Sequence, residues 1–313
     1  MALSDPAPPV VQRPLLALAL RLMAVFVLST LVMLVKYTHS SGVAFGEILF
    51  WRAWPTVPIL ALWLAARGEL SRLKTRRMPA HVLRAVLGIA GMAMTFGAPL
   101  LLPLAEATAL GFTTAIFAVI LSALVIGEKV GRWRWGAVLA GFLGVLVITR
   151  PGDGHLAIAG VAVGLGGALA VALISILIRD LSRTEEPIAI VFWFSAFATA
   201  AFAFTLPFFA SAHTSQQWLL LGLIGVLGCA AQLLLTAALR FGQVASVIVM
   251  DYSALIWATL YGRLVFDKLP PLTTWAGAPL LVGAGLVIAW REHRQGVLQK
   301  RAQAREPTAL PTV

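Results

Sequence analysis

Four ionisable side chains stand inside long apolar segments of this sequence: Arg21, Glu47, Arg52 and Asp251. Within a hydrocarbon layer each charge costs about 2.5–3.5 kcal/mol on insertion scales, so each needs a partner, a wet cavity or a function. A buried arginine can hold a carboxylate, and a buried carboxylate can hold an amine or a proton. These residues are the first candidates for a binding site.

The apolar segments indicate the class of protein. Of the 313 residues 60% are hydrophobic and 12% charged, with a mean hydropathy of +0.90, whereas a water-soluble surface needs about 25% charge. Ten runs approach the roughly 20 residues that a helix needs to cross a membrane. Numbered as spans 1 to 10, they lie near 15–36, 46–66, 82–104, 106–126, 133–149, 157–178, 188–209, 218–239, 244–266 and 273–290. We expect an all-α integral membrane protein with ten transmembrane helices, because these runs lack the alternation of strands.

The distribution of lysine and arginine predicts the topology. A net charge of +11 would suit a nucleic-acid ligand, but with a cytoplasmic N-terminus 18 of the 24 basic residues fall on the cytoplasmic side. Four lie on the opposite side, and Arg21 and Arg52 lie within spans. The positive-inside rule then predicts a multi-pass protein of the inner membrane with both termini cytoplasmic. We therefore expect the protein to contact the lipid bilayer and to bind no nucleic acid.

A repeat relates the two halves of the chain. Gly88-Ile-Ala-Gly91 recurs as Gly225-Val-Leu-Gly228, and Phe50-Trp51 recurs as Phe192-Trp193, at offsets of about 137 and 142 residues. Because each half has an odd number of spans, the halves must enter the bilayer from opposite sides as two inverted five-helix repeats. Such repeats favour a molecule that opens alternately to the two sides of the membrane.

The repeats set the domain organisation. We expect a cytoplasmic tail at 1–14, a first repeat at 15–150, a second at 157–290, and a charged tail at 291–313 that is predicted to be disordered. Cys229 is the sole cysteine, so no disulfide forms within the chain. The oligomeric state stays open between monomer and homodimer.

Depth separates the polar candidates. At about 1.5 Å of rise per residue, Arg52 lies about 9 Å from the outer surface, and Asp251, Gln232 and Arg21 lie about 9–10 Å from the inner one. Asp251 either bonds to Gln232 or Arg21 and fixes the helices together, or faces a cavity and holds a substrate amine or a proton. Arg52 either extends toward the interface, pairs with Glu47, or faces a substrate carboxylate. Positions 47 and 52 lie about 140° apart on a helix, which disfavours the direct pair.

The full set of candidate substrate-binding residues joins these polar positions to their neighbours and to tryptophans repeated in both halves. It consists of Arg52, Asp251, Gln232, Trp51, Glu47, Thr95, Tyr252 and Trp193. Two of them, Glu47 and Asp251, are also candidates for carrying a proton. The repeat aligns Arg52 with Phe194 and Asp251 with Phe112, so the polar groups differ where the backbones correspond.

Two other classes of protein fit the sequence poorly. The chain has no Gly-x-x-x-x-Gly-Lys-[Ser/Thr] loop for ATP and no His-Glu-x-x-His pair for a metal. We therefore expect no catalytic residue, no metal and no cofactor. A membrane scaffold would have no need of buried charges such as Arg52 and Asp251.

Several short stretches carry a family resemblance. They are Arg52 early in span 2, Leu104-Ala105-Glu106-Ala107, Ile126-Gly127-Glu128-Lys129-Val130, Gly141-Phe142-Leu143-Gly144-Val145 and, more loosely, Phe241 to Ser246. Over about residues 15–292 the chain resembles the drug/metabolite transporter superfamily, in the form with two EamA-type domains. Members of that family usually have Gly-Glu after span 9, where this chain has Phe266-Asp267.

The resemblance implies a central cavity lined by spans 1–4 and 6–9, with spans 5 and 10 at the periphery. It also implies transport of small metabolites. Together with the inverted repeats it predicts a secondary transporter that works by alternating access, with export of amino acids, aromatic and hydrophobic ones included, as the leading function. The alternatives are uptake or exchange of a larger aromatic metabolite, such as a flavin or an adenosyl compound, and a non-transporting scaffold. Substrate, direction and energy coupling stay open.

Overall fold

The structure is a computed structural model that describes residues 14–125, 127, 130–150, 156–209, 212–241 and 249–303. In these ranges the regular elements are helices, and nine segments are long and apolar enough to cross a membrane. The protein is thus an all-α integral membrane protein, as its composition predicts. Residues 242–248 of the predicted span 9 and the Glu128-Lys129 motif lie outside the described residues.

Spans 1 to 5 form the first repeat. Their helices are Pro14–Ser40, Phe45–Ala53 with Thr56–Ala66, Met78–Leu101, Leu104–Gly111 with Thr114–Leu124, and Arg132–Thr149. Spans 2 and 4 are each broken into two helices. The break in span 2 falls at Trp54 and Pro55, since proline has no N–H to continue the helix.

Spans 6 to 10 form the second repeat. Their helices are Ile158–Leu181, Pro187–Ala203 with Leu206–Phe209, Ser215–Phe241, the 3-10 helix Val249–Ser253 with Ala254–Phe266, and Leu272–Gln303. The last helix continues well beyond residue 290, so the prediction of disorder was wrong for residues 291–303. This stretch contains three arginines and three glutamines, which are good helix formers, and no proline occurs between residue 290 and Pro307.

Equivalent spans of the two repeats pack in equivalent ways. Span 3 packs along span 6, and span 8 packs along span 1, which is the same pairing after exchange of the halves. Span 5 packs on its own counterpart, span 10, where a Cβ added at Gly144 would meet the carbonyl oxygen of Gly277 at 2.9 Å. Only glycine allows the two backbones to approach so closely. Gly144 and Gly277 therefore allow spans 5 and 10 to pack closely.

The breaks in spans 4 and 9 meet inside the bundle. Span 4 is interrupted at Phe112 and Thr113, and span 9 begins with the 3-10 helix that contains Asp251 and Tyr252. These positions are equivalent in the two repeats. The rings of Phe112 and Tyr252 pack edge to face with centroids 4.9 Å apart. Interrupted helices that meet inside a membrane protein are typical of the centre of a transporter fold.

The bundle has two distinct faces. We call the face with loops 67–77 and 182–186 the basic face; there Arg72 contacts Glu186 and Arg77 contacts Asp180, each at 2.6 Å. The opposite face carries loop 41–44 and the chain before span 8, where Gln217 donates to the carbonyl of Ser41 at 2.9 Å. Each set of contacts joins one repeat to the other. The contact between loops 67–77 and 182–186 on one face is thus the repeat equivalent of the contact between the chain before span 8 and loop 41–44 on the other.

Candidate functional site

Arg52 lies near the end of the first helix of span 2, and its side chain contacts span 3. Its guanidinium lies 4.4 Å from the ring centroid of Phe96, and Nη1 donates to the sulfur of Met92 at 2.6 Å. Nε is buried without a hydrogen-bond partner. Among the described residues no carboxylate forms an ion pair with Arg52, and Glu47 in particular does not. A thioether is a weak acceptor, so the charge of Arg52 is left without a strong partner.

Glycines of span 8 let span 2 bring Arg52 to this position. A Cβ added at Gly228 would lie 3.1 Å from the carbonyl oxygen of Arg52 and 3.3 Å from its Cγ. One added at Gly225 would lie 2.9 Å from the carbonyl oxygen of Trp51. The repeated Gly-x-x-Gly motif of span 8 thus fits against the backbone that presents Arg52.

Glu47 has a partner that the sequence did not indicate. Its Oε1 lies 2.6 Å from Nε2 of His213, and both side chains are almost completely buried. Oε2 of Glu47 and Nδ1 of His213 have no hydrogen-bond partner. His213 stands in the loop before span 8, where no periodic pattern could place it. The result is a buried carboxylate–imidazole pair near the opposite face.

Asp251 is held by Arg21. Two parallel hydrogen bonds join them, Nε to Oδ1 at 2.6 Å and Nη2 to Oδ2 at 2.5 Å. The sequence allowed Asp251 either to bond to a neighbouring helix or to face a cavity. This geometry agrees with the first interpretation, in which the bond to Arg21 fixes spans 1 and 9 together. The side chain of Asp251 remains 37% exposed, so the pair is accessible from one side.

The other candidates are distributed along the bundle. Tyr252 packs on Phe112 at the meeting point of the broken helices. Thr95 is an exposed residue of span 3, beside the backbone contact with span 6, and Gln232 is half-buried in span 8. The eight candidates therefore do not form one cluster.

The two repeated tryptophans lie on different faces. Trp51 packs edge to face on Trp218 with centroids 5.5 Å apart, near the Glu47–His213 pair. Trp193 instead donates from Nε1 to the carbonyl of Leu73 at 3.0 Å, in the loop of the basic face. Inverted repeats require this separation, because equivalent residues end at opposite membrane surfaces.

Lys36 has a structural role that sequence reasoning missed. Its ammonium donates to the carbonyl oxygens of Pro99 at 2.5 Å and Leu102 at 2.6 Å, at the end of span 3. In a continuous helix the Pro99 carbonyl would accept from residue 103, but Pro103 has no N–H. Lys36 thus satisfies the Pro99 carbonyl that Pro103 leaves unpaired, and it also bonds the Leu102 carbonyl just past the helix end.

The comparison with known families follows the same division into repeats. Residues 15–150 and 158–290 each match the EamA-like transporter family. The chain belongs to this family.

Curated relatives of this EamA protein include several transporters. It is 30% identical to the pseudopaline exporter of Pseudomonas aeruginosa, over 86% of this chain and 94% of that protein. It is 29% identical to a riboflavin transporter of Vibrio cholerae, over 76% and 80%. It is 26% identical to an S-adenosylmethionine uptake transporter of Rickettsia felis, over 79% and 84%. One crystal structure, 19% identical, shares the fold with a TM-score of 0.62 over 90% of this chain and 99% of that one.

These relatives decide the general function. The protein is a multi-pass membrane transporter of the EamA family and not an enzyme. Its relatives move small molecules across membranes.

Proposed function

We propose that the protein is a secondary transporter that exports small carboxylate-bearing metabolites, with amino acids that have apolar or aromatic side chains as the first class. The observation that carries this proposal is Arg52. It is a half-buried cation whose Nε is fully buried, with no carboxylate partner among the described residues, and it lies beside the apolar surface of Met92 and Phe96. A substrate carboxylate would supply the missing counter-charge, while Met92 and Phe96 would contact its apolar body.

Direction and orientation rest on separate supports. The basic face is the cytoplasmic face by the positive-inside rule, which places both termini in the cytoplasm of a cell bounded by an inner membrane. The pseudopaline exporter, at 30% identity, supports outward movement. The inverted repeats, with their equivalent contacts on both faces, support alternating access.

Transport in liposomes tests the role of Arg52. Purified protein is offered labelled L-phenylalanine, L-leucine and riboflavin in turn. We expect amino-acid flux whose kcat/KM falls about ten- to hundred-fold in Arg52→Gln, the value for one lost charge-assisted contact. Arg263→Gln is the matched control, because Arg263 pairs with Asp267 at an exposed site. The proposal is wrong if no amino acid crosses, or if Arg52→Gln transports as well as the control.

The riboflavin transporters among the relatives support a second candidate substrate class, larger aromatic metabolites. Riboflavin carries no carboxylate, so its flux would not depend on the charge of Arg52. Flux of riboflavin alone, unaffected by Arg52→Gln, would therefore favour the flavin proposal over the amino-acid one. A scaffold is disfavoured because the relatives are named as transporters.

Energy coupling is tested by the same flux assay with and without a pH gradient. The Glu47–His213 pair is the better candidate for proton binding, because Oε2 of Glu47 and Nδ1 of His213 have no hydrogen-bond partner, whereas Asp251 is engaged by Arg21. We expect Glu47→Gln to abolish the effect of the gradient. Flux that ignores the gradient in the unmodified protein would indicate facilitated diffusion.

A further inference from the structure

A second arginine lies buried in span 3, near the basic face. Arg84 is 7% exposed, and its guanidinium lies 3.9 Å from the ring centroid of Phe194 in span 7. Its Nε and Nη1 atoms are buried without a hydrogen-bond partner. From the sequence this residue belongs to the basic cluster of the cytoplasmic surface. The structure places it instead inside the bundle, about 9 Å from the start of its helix by the rise per residue.

The nearby acidic groups are engaged elsewhere. Glu185 accepts from the hydroxyl of Thr75 at 2.9 Å and lies 3.4 Å from Nε2 of His81. Asp180 pairs with Arg77. Among the described residues no carboxylate pairs with Arg84, although burial of an uncompensated charge is costly. Aromatic stacking offsets part of that cost and leaves the edge of the guanidinium free to hold an anion.

The interface that contains Arg84 is the repeat counterpart of the interface that contains Arg52, although the two arginines themselves occupy different positions. Span 2 packs on span 8 near the opposite face, and the equivalent interface near the basic face is formed by span 7 and span 3. The first interface contains Arg52 and Gly228. The second contains Arg84 and Gly88, where an added Cβ would lie 2.6 Å from the ring of Phe194 and 2.9 Å from Nη1 of Arg84. Each interface thus holds one arginine without a carboxylate partner among the described residues, Arg84 buried and Arg52 half-buried, and the two come from different positions of the repeat.

Span 3 links the two arginines: Arg84 belongs to it, and the side chain of Arg52 contacts it from span 2. Arg84 and Met92, the contact of Arg52, are eight residues apart on span 3, or about 12 Å along the axis. On the basic face a cavity of about 690 Å³ is lined by Lys74, Arg76, Met78 and Trp193 among others. One lining residue, Trp193, belongs to the same helix as Phe194, the ring that stacks on Arg84. The cationic rim of this cavity would raise the local concentration of anions.

We propose that Arg84 is a second binding station for the anionic group of the transported substrate, occupied from the basic face before the group reaches Arg52. The inference rests on the proposed function for the identity of the substrate, but the anion site itself is independent of it. The ligand chemistry is a carboxylate on an apolar or aromatic body, held by the guanidinium edge while the body contacts Phe194 and Trp193.

Ligand-dependent thermal stability tests the two stations without requiring transport. Protein in phosphatidylcholine nanodiscs is heated with benzoate or with benzamide, which has the same ring and no charge. Benzoate, but not benzamide, should raise the melting temperature, because a ligand that binds the folded state stabilises it. Arg52→Gln and Arg84→Gln should each retain a benzoate effect, and the double variant should lose it. Arg183→Gln, which removes an exposed cation of the basic face that does not line the cavity, is the control and should keep the full effect.

A conservative variant covers the case in which Arg84→Gln does not fold. Arg84→Lys keeps the charge but loses the planar fork, so the benzoate concentration for half the effect should rise about tenfold for the Arg84 station. The proposal is overturned if benzoate has no effect on the unmodified protein, or if Arg52→Gln alone abolishes the effect. It is also overturned if Arg84→Gln and Arg84→Lys both behave like the control.

Two further outcomes separate this inference from its alternatives. If anionic lipid alone gives the stabilisation that depends on Arg84, and benzoate adds nothing to it, the site holds a lipid headgroup and the proposal is wrong. If benzoate acts through Arg84 but no amino acid crosses the membrane, the anion site stands and the proposed function fails.

Discussion

The ion pair between Arg21 and Asp251 joins the two repeats beside the break in span 9. Removing one member of a buried pair leaves a charge without compensation, which costs about 3–5 kcal/mol when burial is complete. Asp251 is partly exposed, so we expect Asp251→Asn to lower the free energy of unfolding by about 1–3 kcal/mol. The double variant Arg21→Gln/Asp251→Asn should recover part of this loss, because neither charge then remains.

Unfolding by heat or denaturant in detergent micelles measures these changes. Asp267→Asn is the matched control, since the Arg263–Asp267 pair is exposed and should contribute little. Additive losses in the double variant would show that Arg21 and Asp251 are not coupled in the folded protein.

The sequence identified which residues needed partners but not which partners they have. A charge inside an apolar run is visible in the sequence, so Arg52, Glu47 and Asp251 were found. Arg21 was one of two partners considered for Asp251, and depth alone could not choose between them. His213 and Arg84 were missed for different reasons. His213 stands in a loop, and Arg84 continues a run of surface arginines, so its burial depends on the packing of span 7.

At the level of the helices, the contact between spans 2 and 8 depends on Gly225 and Gly228. Gly222, one turn before Gly225, does not take part in it. An added Cβ at Gly225 would meet Pro55 at 2.8 Å and the carbonyl of Trp51 at 2.9 Å, whereas one at Gly222 would meet nothing within 4 Å. Gly225→Ala should therefore separate the two spans, lower the melting temperature and reduce flux, because Arg52 moves with span 2. Gly222→Ala should be neutral or stabilising by up to about 1 kcal/mol through helix propensity.

Melting temperature and liposome flux measured on both variants decide this prediction. Equal behaviour of Gly225→Ala and Gly222→Ala would mean that the close approach is not required. The comparison uses one substitution on one helix, so differences in helix propensity largely cancel.

Helix positions were predictable because apolar length is set by the thickness of the membrane. The EamA family match and the nine described spans confirm that organisation. The interruption of span 4 at Phe112 and Thr113 was not predicted. No proline marks it, and it is accompanied by contacts from span 9 that no local pattern contains.

At the scale of the whole molecule, the orientation in the membrane is open to a direct test. Cys229 is the only cysteine, so Cys229→Ala gives a background without thiols. A cysteine placed at Ser71 reports the basic face, and one placed at Thr214 reports the opposite face; both positions are exposed. In intact cells an impermeant maleimide should label position 214 and not position 71, and in everted vesicles the reverse.

Labelling of position 71 in intact cells would place the basic face outside and refute the orientation proposed from the positive-inside rule. Labelling of both positions from one side would contradict the inverted arrangement itself. The assay therefore separates an error in orientation from an error in topology.

The packing of span 5 on span 10 bears on whether the two repeats must belong to one polypeptide. A helix that packs on its own counterpart lies at the axis that relates the two repeats. A five-helix chain could make the same contact with a second copy of itself inserted upside down. The contact between Gly144 and Gly277 is the contact that such an inverted pair would make. Two separate polypeptides, one for each repeat, would still carry the surfaces needed to find each other.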